Sequence, residues 1–320
     1  MKKYFILSVC AAIIGLLLYM TYRIGPLFGF YLFPPSVQEY VRHAVLLMDQ
    51  NGIYSNTATW DSIRQETLEA AKVARTYEET HDILEKALKV AGGKHSFLFV
   101  ASKSVEGEDM TMQSPVVRLD DDGILYIMLP QFTGSPKQGD EYATKAYELI
   151  RQHKENIKGV IIDLRHNTGG DMGPMITAIS PFLPDGEFIS WGIKGRKIPV
   201  VLEKGKAIGG GTPISISEPF KVEDKPIAIL QDSLTCSSGE IVLLAFRGLP
   251  HTRTFGTHSG GYCSSNMSYH LYDGTIMQLT NGKDVARTGE EFCEYPIAPD
   301  EECNDADEKA KEWLESIIRE

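Results

Sequence analysis

Short apolar runs separated by helical patterns constrain the fold of this chain more than any other feature of its sequence. GVIIDLR (159–165) and KPIAILQDS (225–233) each have the length and composition of a buried strand. A third strand-like run, GILYIMLP (123–130), precedes a helical pattern over 140–155. Strands that alternate with helices at this spacing predict an α/β core with mostly parallel strands.

The two buried strands end where such a core binds its ligands, because ligand sites in these sheets lie beyond the carboxyl ends of the strands. The segments Asn167–Gly170 and Thr235–Ser238 both follow at that edge, and a helix is predicted over Gly239–Arg247. Hydroxyl residues at a strand-to-helix junction are typical both of a nucleophile and of a helix cap. Ser237 is open to both roles, and Ser238 is the alternative nucleophile.

A serine nucleophile also needs a base and donors that stabilise the oxyanion. The backbone N–H groups of Gly169 and Gly170, which open a helix, and of Ser238 are the candidate donors. The candidate bases are three histidines: His95 in the loop GGKHSF, and as its rivals His258 and His166.

The N-terminus predicts a membrane anchor over residues 1–23. Lys2 and Lys3 precede an uncharged apolar run from Tyr4 to Tyr22, which is long enough for a hydrocarbon core of ~30 Å. The two lysines favour a cytoplasmic N-terminus, so the rest of the chain is expected outside the cytoplasm. A cleaved signal peptide is the competing interpretation, but its apolar region is usually shorter and a small-residue cleavage site follows it.

The remainder divides into two predicted parts. Residues 24–91 combine a Gly- and Pro-containing linker with apolar residues at helical spacing, which predicts a small helical bundle that Gly92 and Gly93 end. Residues 92–320 form the predicted core. Within it, residues 183–224 are rich in Gly and Pro, and we interpret them as an irregular cap or flap over the cleft.

The net charge and the spacing of cysteines and histidines argue against several classes of function. The formal net charge is −11 and no basic block is present, which argues against nucleic acid as a partner. The cysteines show no CxxC spacing and the histidines are scattered, so we expect no metal and no other cofactor. Cys293 and Cys303 could close a short disulfide loop, but the sequence leaves their pairing open.

The order of these motifs resembles a known family. GGKHSF, IIDLRHNTGG, AILQDSLTCSSGEIVLLAFRG and TRTFGTHSGG, followed by PIAPDEEC and a last helix, are similar to the tail-specific or C-terminal processing serine proteases over roughly residues 36–320. The resemblance implies a crotonase-like (ClpP/crotonase) spiral core of strands and helices, which agrees with the α/β prediction.

Two departures from the family pattern place the chain within it. Many members use a lysine base in a segment similar to T-F-G-K-G, whereas Thr257 occupies the lysine position here. Many members also carry a PDZ domain, but the segment between His95 and Gly123 is shorter than the ~50 residues of an independent domain. A PDZ-less member with a Ser-His dyad most resembles the nisin-resistance branch of the family.

That resemblance implies roles for particular residues. The branch has the motif Thr-Ala-Ser-Ser-Ala-Glu, which matches TCSSGE (235–240) and implies that Ser237 is the nucleophile and His95 the base. The same match implies that Glu240 helps to hold a substrate cation or the cleft. Asp171 and Met172, just past the double glycine, fall where proteins of this branch line the substrate tunnel, and the resemblance implies that they bind substrate.

The implied function is that of a membrane-anchored serine peptidase outside the cytoplasm that cleaves near the C-terminus of a lantibiotic such as nisin. The expected partners are a cationic peptide substrate, which an acidic protein attracts, and the membrane through the N-terminal helix. Two alternatives stay open: a housekeeping tail-specific protease of envelope proteins, and a non-catalytic peptide-binding immunity protein.

Overall fold

The structure is a computed structural model that describes residues 2–28, 30–100 and 113–319. The helices are α1 (Lys2–Ile24), α2 (Val37–Asn51), α3 (Ala58–Ala70), α4 (His81–Gly92), α5 (Pro136–His153), α6 (Met172–Ile179), α7 (Ser238–Phe246) and α8 (Ala306–Ile318). The strands are β1 (Phe97–Phe99), β2 (Val116–Leu119), β3 (Ile124–Met128), β4 (Gly159–Asp163), β5 (Gly186–Ile193), β6 (Arg196–Glu203), β7 (Lys206–Ile208), β8 (Ile227–Gln231), β9 (Thr252–Gly256), β10 (Ser264–His270), β11 (Ile276–Ala286), β12 (Glu291–Phe292) and β13 (Glu301–Glu302).

The chain divides into two compact units. The first contains residues 1–108 and 266–281, and the second contains residues 109–265 and 282–320. The first unit therefore includes β1 and the segment 266–281, which sequence analysis had assigned to the predicted core.

The first unit is built on α2, α3 and α4, which lie in the predicted helical region. Their buried faces form one apolar cluster with residues of β10 and β11 and include Tyr40, Trp60 and Leu84. Ser36 caps α2 through reciprocal hydrogen bonds with Glu39, which satisfy N–H groups that the helix start leaves open. As expected, α4 ends at Gly92, where Gly93 adopts a positive φ of 82°.

The N-terminal segment forms the helix α1, but the predicted membrane span is not supported. Among the helices in the described ranges, none is long and apolar enough to cross a membrane.

A partly buried carboxylate ties the hairpin between β10 and β11 to the helices of the first unit. Asp273 accepts hydrogen bonds from the Tyr40 hydroxyl (3.1 Å) and from the Thr275 hydroxyl (2.9 Å), and it pairs with His81 Nε2 (2.8 Å). Burial alone would raise the pKa of Asp273, but the hydrogen bonds from His81 and Thr275 outweigh that effect and lower it.

The second unit contains the α/β core that the sequence predicts. Its main sheet has the order β13-β9-β8-β4-β3-β2, in which only β2 runs antiparallel to its neighbour. The helix α5 connects β3 to β4, and α7 connects β8 to β9. Because β4 and β8 are adjacent and parallel, with Asp163 opposite Leu230, their following loops emerge at the same edge.

The prediction of an irregular segment over 183–224 is wrong for its first half. β5, β6 and β7 form an antiparallel meander that also pairs with β11. Two-residue turns at Lys194-Gly195 and Lys204-Gly205 connect its strands, and both residues of each turn have positive φ, as a type I′ hairpin requires. Residues 209–226 contain no helix or strand.

The optional disulfide between Cys293 and Cys303 is not formed in the described part of the chain.

We predict that Asp273→Ala destabilises the protein by about 2–4 kcal/mol, because it leaves buried donors without an acceptor. Urea denaturation followed by circular dichroism measures the change. Asp61→Ala, which removes an exposed carboxylate of the same unit, is the control and should change stability by less than about 0.5 kcal/mol. Equal effects of the two substitutions would contradict the role of Asp273.

Candidate active site

The loops that follow β4 and β8 are tied to each other by hydrogen bonds. The Thr235 hydroxyl donates to the carbonyl oxygen of Leu164 (2.9 Å), and the N–H of Cys236 donates to that of Asn167 (2.9 Å). The segment that contains Ser237 is thus fixed to the loop Asn167–Gly170, which we call the glycine loop, at the carboxyl edge of the sheet.

Ser237 has an unusual backbone conformation. It lies immediately before α7 with a φ of 52° and a ψ of −117°, a region that residues with a side chain rarely adopt. Its side chain is half-buried. A strained turn between a strand and a helix is the arrangement that exposes a nucleophilic serine in other hydrolases.

Glu240 maintains this turn. Its carboxylate is buried and accepts four hydrogen bonds: Oε2 from the N–H groups of Ser237 (2.8 Å) and Tyr262 (2.8 Å), and Oε1 from the Ser259 hydroxyl (2.5 Å) and the N–H of Gly261 (2.9 Å). Burial raises the pKa of Glu240, and these hydrogen bonds partly oppose the rise.

The expected contact of Glu240 with substrate is therefore corrected. A side chain with no exposed surface and four internal donors has no free oxygen to offer a ligand. Its role is to position the turn at Ser237 and the segment 259–262.

The glycine loop lies directly against Ser237. A Cβ added at Gly169 would lie 2.8 Å from Ser237 Cβ and 3.1 Å from Ser238 N, and Gly169 has a φ of 105°, so only glycine fits there. The N–H of Gly169 donates to Asn167 Oδ1 (2.9 Å), which occupies this candidate oxyanion donor.

Two other N–H groups remain available as donors. Those of Gly170 and Ser238 have no hydrogen-bond acceptor in the described part of the chain, and Ser238 is the first residue of α7. The Ser238 hydroxyl donates to the carbonyl oxygen of Gly170 (2.6 Å). Ser238 is thus a linker between the two loops, which leaves Ser237 as the better candidate nucleophile.

Asp171 and Met172, the other two residues expected to contact substrate, make structural contacts, and their contact with substrate stays a prediction. Asp171 Oδ1 accepts hydrogen bonds from the N–H groups of Gly173 (2.9 Å), which caps α6, and of Thr212 (2.8 Å). Met172 is buried, and its sulfur would lie 3.1 Å from a Cβ at Gly210. Both residues therefore hold the Gly209–Gly211 segment against the start of α6.

The candidate bases occupy different environments. His95 belongs to the first unit, where its carbonyl oxygen accepts a hydrogen bond from Asn266 Nδ2 (3.1 Å). His258 is exposed, and His166, also exposed, pairs with Asp232 through Nδ1 (3.1 Å). Thr257, at the position of the family's lysine, donates its N–H to the carbonyl oxygen of Gln231 (3.3 Å).

Two buried residues near this turn, Asn167 and Asp284, received no role of their own from the sequence. Asn167 is buried and donates from Nδ2 to the carbonyl oxygen of Leu129 (2.8 Å) while its Oδ1 binds Gly169. Asp284 is buried next to Cys263, whose thiol donates to its Oδ2 (3.3 Å). The position of Asn167 inside NTGG was a usable signal, whereas Asp284 carried none.

No cluster of three or more metal-ligating side chains occurs among the residues that the structure describes. The chemistry available at this edge is that of a hydroxyl beside backbone donors.

We predict that Gly169→Ala abolishes most of any hydrolytic activity, by about 100-fold or more in kcat, because the added methyl group clashes at Ser237 Cβ and Ser238 N. Steady-state kinetics measures the effect. Gly195→Ala is the matched control, since that glycine also has positive φ but open space around its Cα. Activity that survives in Gly169→Ala would contradict this geometry.

We predict that protonation of Asp284 makes stability depend on pH. Burial raises the pKa of Asp284 from 3.8 to about 8, and the Glu240 carboxylate adds to the rise. Because the folded-state pKa is the higher one, the stabilising contribution is complete below about pH 4 and is lost as the pH rises through about 8.

Unfolding experiments between pH 5 and pH 9 on the wild type and on Asp284→Asn measure this effect. The wild type should lose up to about 1.4 kcal/mol per pH unit relative to the variant. Parallel pH profiles of the two proteins would show that Asp284 ionises normally.

Comparisons with known proteins show which family this chain is similar to. A model of "Peptidase family S41" matches residues 123–303. The nisin-resistance protein of Lactococcus lactis subsp. lactis is 38% identical over 315 residues, which cover 98% of this chain and 97% of that protein. A carboxy-terminal-processing protease of Bartonella bacilliformis is 28% identical over 175 residues, or 55% of this chain and 37% of that protein.

Solved structures resemble the fold as well. A lipoprotein from Streptococcus agalactiae superimposes with a TM-score of 0.81 at 30% identity, covering 90% of this chain and 99% of that one. The photosystem II D1 C-terminal processing protease shares the fold at 13% identity, with a TM-score of 0.56 over 85% of this chain and 94% of that one. The family match and the near-complete alignment together show that this chain belongs to peptidase family S41.

Proposed function

We propose that this protein is a serine peptidase that cleaves near the C-terminus of a lantibiotic such as nisin and thereby confers resistance to it. The observation that carries the proposal is the turn at Ser237. There, a half-buried serine with a strained backbone lies beside the N–H groups of Gly170 and Ser238, which have no acceptor among the residues that the structure describes. A hydroxyl next to such donors is equipped for acyl transfer.

In the proposed mechanism, Ser237 Oγ attacks the scissile carbonyl carbon as His95 takes the hydroxyl proton. The N–H groups of Gly170 and Ser238 stabilise the negative charge on the tetrahedral oxygen. His95 then gives the proton to the leaving amine, and an acyl-enzyme forms. Water, deprotonated by His95, attacks the acyl-enzyme and restores the Ser237 hydroxyl.

The choice of a Ser-His dyad over the Ser-Lys dyad of many relatives follows from the sequence. Thr257 occupies the lysine position and its hydroxyl is not basic. The alternative base His166 is exposed and pairs with Asp232 through Nδ1 (3.1 Å), and the alternative His258 is exposed as well. His95 is the base that the family resemblance indicates.

The substrate class is supported by two observations. The nisin-resistance protein of Lactococcus lactis subsp. lactis aligns with this chain over 97% of its own length. A net charge of −11 favours the approach of a cationic peptide.

We extend the proposal to the fold of the second unit and to the compartment in which the protein acts. We assign the second unit to the crotonase-like spiral of this family, without a PDZ domain, and place its action outside the cytoplasm. The parallel sheet with crossover helices supports the first assignment, and the similarity to a nisin-resistance protein over 98% of this chain supports the second.

We predict that the full-length wild-type protein releases a C-terminal fragment from nisin, and that Ser237→Ala and His95→Ala each reduce cleavage by at least about 1,000-fold. Mass spectrometry of the reaction identifies the fragment. His258→Ala and His166→Ala are the matched controls and should retain activity within about fivefold.

Each alternative has its own outcome. Cleavage of casein and not of nisin would favour a housekeeping protease, and nisin that is bound but left intact by the wild type would favour a binding protein. Cleavage that persists in His95→Ala but not in His258→Ala would overturn the assigned base.

A further inference from the structure

Among the residues that the structure describes, two aromatic side chains on one face of the sheet around β1 are exposed. β1 pairs with β11 so that Phe97 lies opposite Gln278 and Phe99 opposite Ile276, and directly opposed residues share a face. On the other face, Leu98 and Met277 pack against the helical cluster. The side chains of Phe97 and Phe99 are 42% and 47% exposed.

Phe97 and Phe99 lie two positions apart on the same face of β1 and so form a contiguous exposed apolar patch. Contiguous patches of this kind are typical of binding surfaces. Ile276 extends the apolar surface across the strand pair, and Gln278 forms its polar border through a hydrogen bond from Nε2 to the Ser268 hydroxyl (2.7 Å). We call Phe97, Phe99 and Ile276 the aromatic platform.

The face of the sheet, and not its edge, is the binding element. The outward N–H of Leu98 donates to Glu85 Oε2 (2.6 Å), so the edge of β1 cannot accept another strand through that group. Side-chain contact with the platform is the remaining mode of recognition.

The position of the platform along the chain identifies its occupant. Phe97 follows His95 by two residues, which is about 7 Å of extended chain. A peptide whose scissile bond lies at His95 therefore has its neighbouring residues within reach of Phe97. Apolar side chains of that peptide would cover the exposed rings.

We propose that the aromatic platform is a specificity surface that binds the apolar residues next to the scissile bond of the peptide substrate. The inference rests on the proposed function because it takes His95 as the base. It adds a recognition surface formed by residues of the first unit.

Binding and turnover of nisin by matched variants test the platform. Phe97→Ser, Phe99→Ser and the double variant are made in the Ser237→Ala protein for titration calorimetry with nisin, and in the active protein for kinetics. Each single change should weaken binding about 5- to 10-fold and the double change at least about 30-fold. In the active protein KM should rise by similar factors while kcat changes less than about twofold.

Two controls separate recognition from folding. Val116→Ser removes an apolar side chain of similar exposure (44%) from β2 and should leave Kd within about twofold. Phe97→Leu keeps an apolar surface and should restore most of the affinity that Phe97→Ser loses.

The outcomes distinguish this inference from the proposed function. If the wild type cleaves nisin and the serine variants bind it unchanged, the platform is wrong and the peptidase assignment stands. If the serine variants lose affinity but the wild type leaves nisin intact, the platform stands and the peptidase assignment fails. If the Ser237→Ala protein does not bind nisin, the platform as stated is wrong.

Discussion

The carboxylate of Glu240 is the interaction on which the rest of the site depends. A buried carboxylate costs several kcal/mol of desolvation unless donors surround it. Four donors do so here, and they come from two segments of the chain, at Ser237 and at residues 259–262. The same hydrogen bonds that offset the desolvation therefore fix the N–H of Ser237 and stabilise its strained φ.

The glycine loop is the counterpart of this carboxylate. Asn167 uses both ends of its amide, binding the carbonyl oxygen of Leu129 and the N–H of Gly169, so the loop has little freedom to move. Gly169 can then approach Ser237 as closely as a residue without Cβ allows. The N–H groups of Gly170 and Ser238 are left as the donors that a developing oxyanion would meet.

The sequence predicted the parallel core because buried strands and amphipathic helices have different periods, and it located both loops because parallel strands end at one edge. The sequence did not predict which of the site's side chains are buried. The family resemblance places Glu240 and Met172 beside substrate, but both are buried, and burial depends on tertiary packing that a motif does not encode. The meander over 186–208 was missed because the Lys-Gly turns that close its hairpins occur in a segment judged only by its Gly and Pro content.

The rate at which a serine-directed fluorophosphonate labels the protein tests most directly whether the Glu240 carboxylate creates a nucleophile at Ser237. The account predicts that peptide mapping finds the label on Ser237. It further predicts that Glu240→Gln, which places a donor among four donors, slows labelling by at least about tenfold. Label on Ser238 or Cys236, or an equal rate in Glu240→Gln, would contradict it.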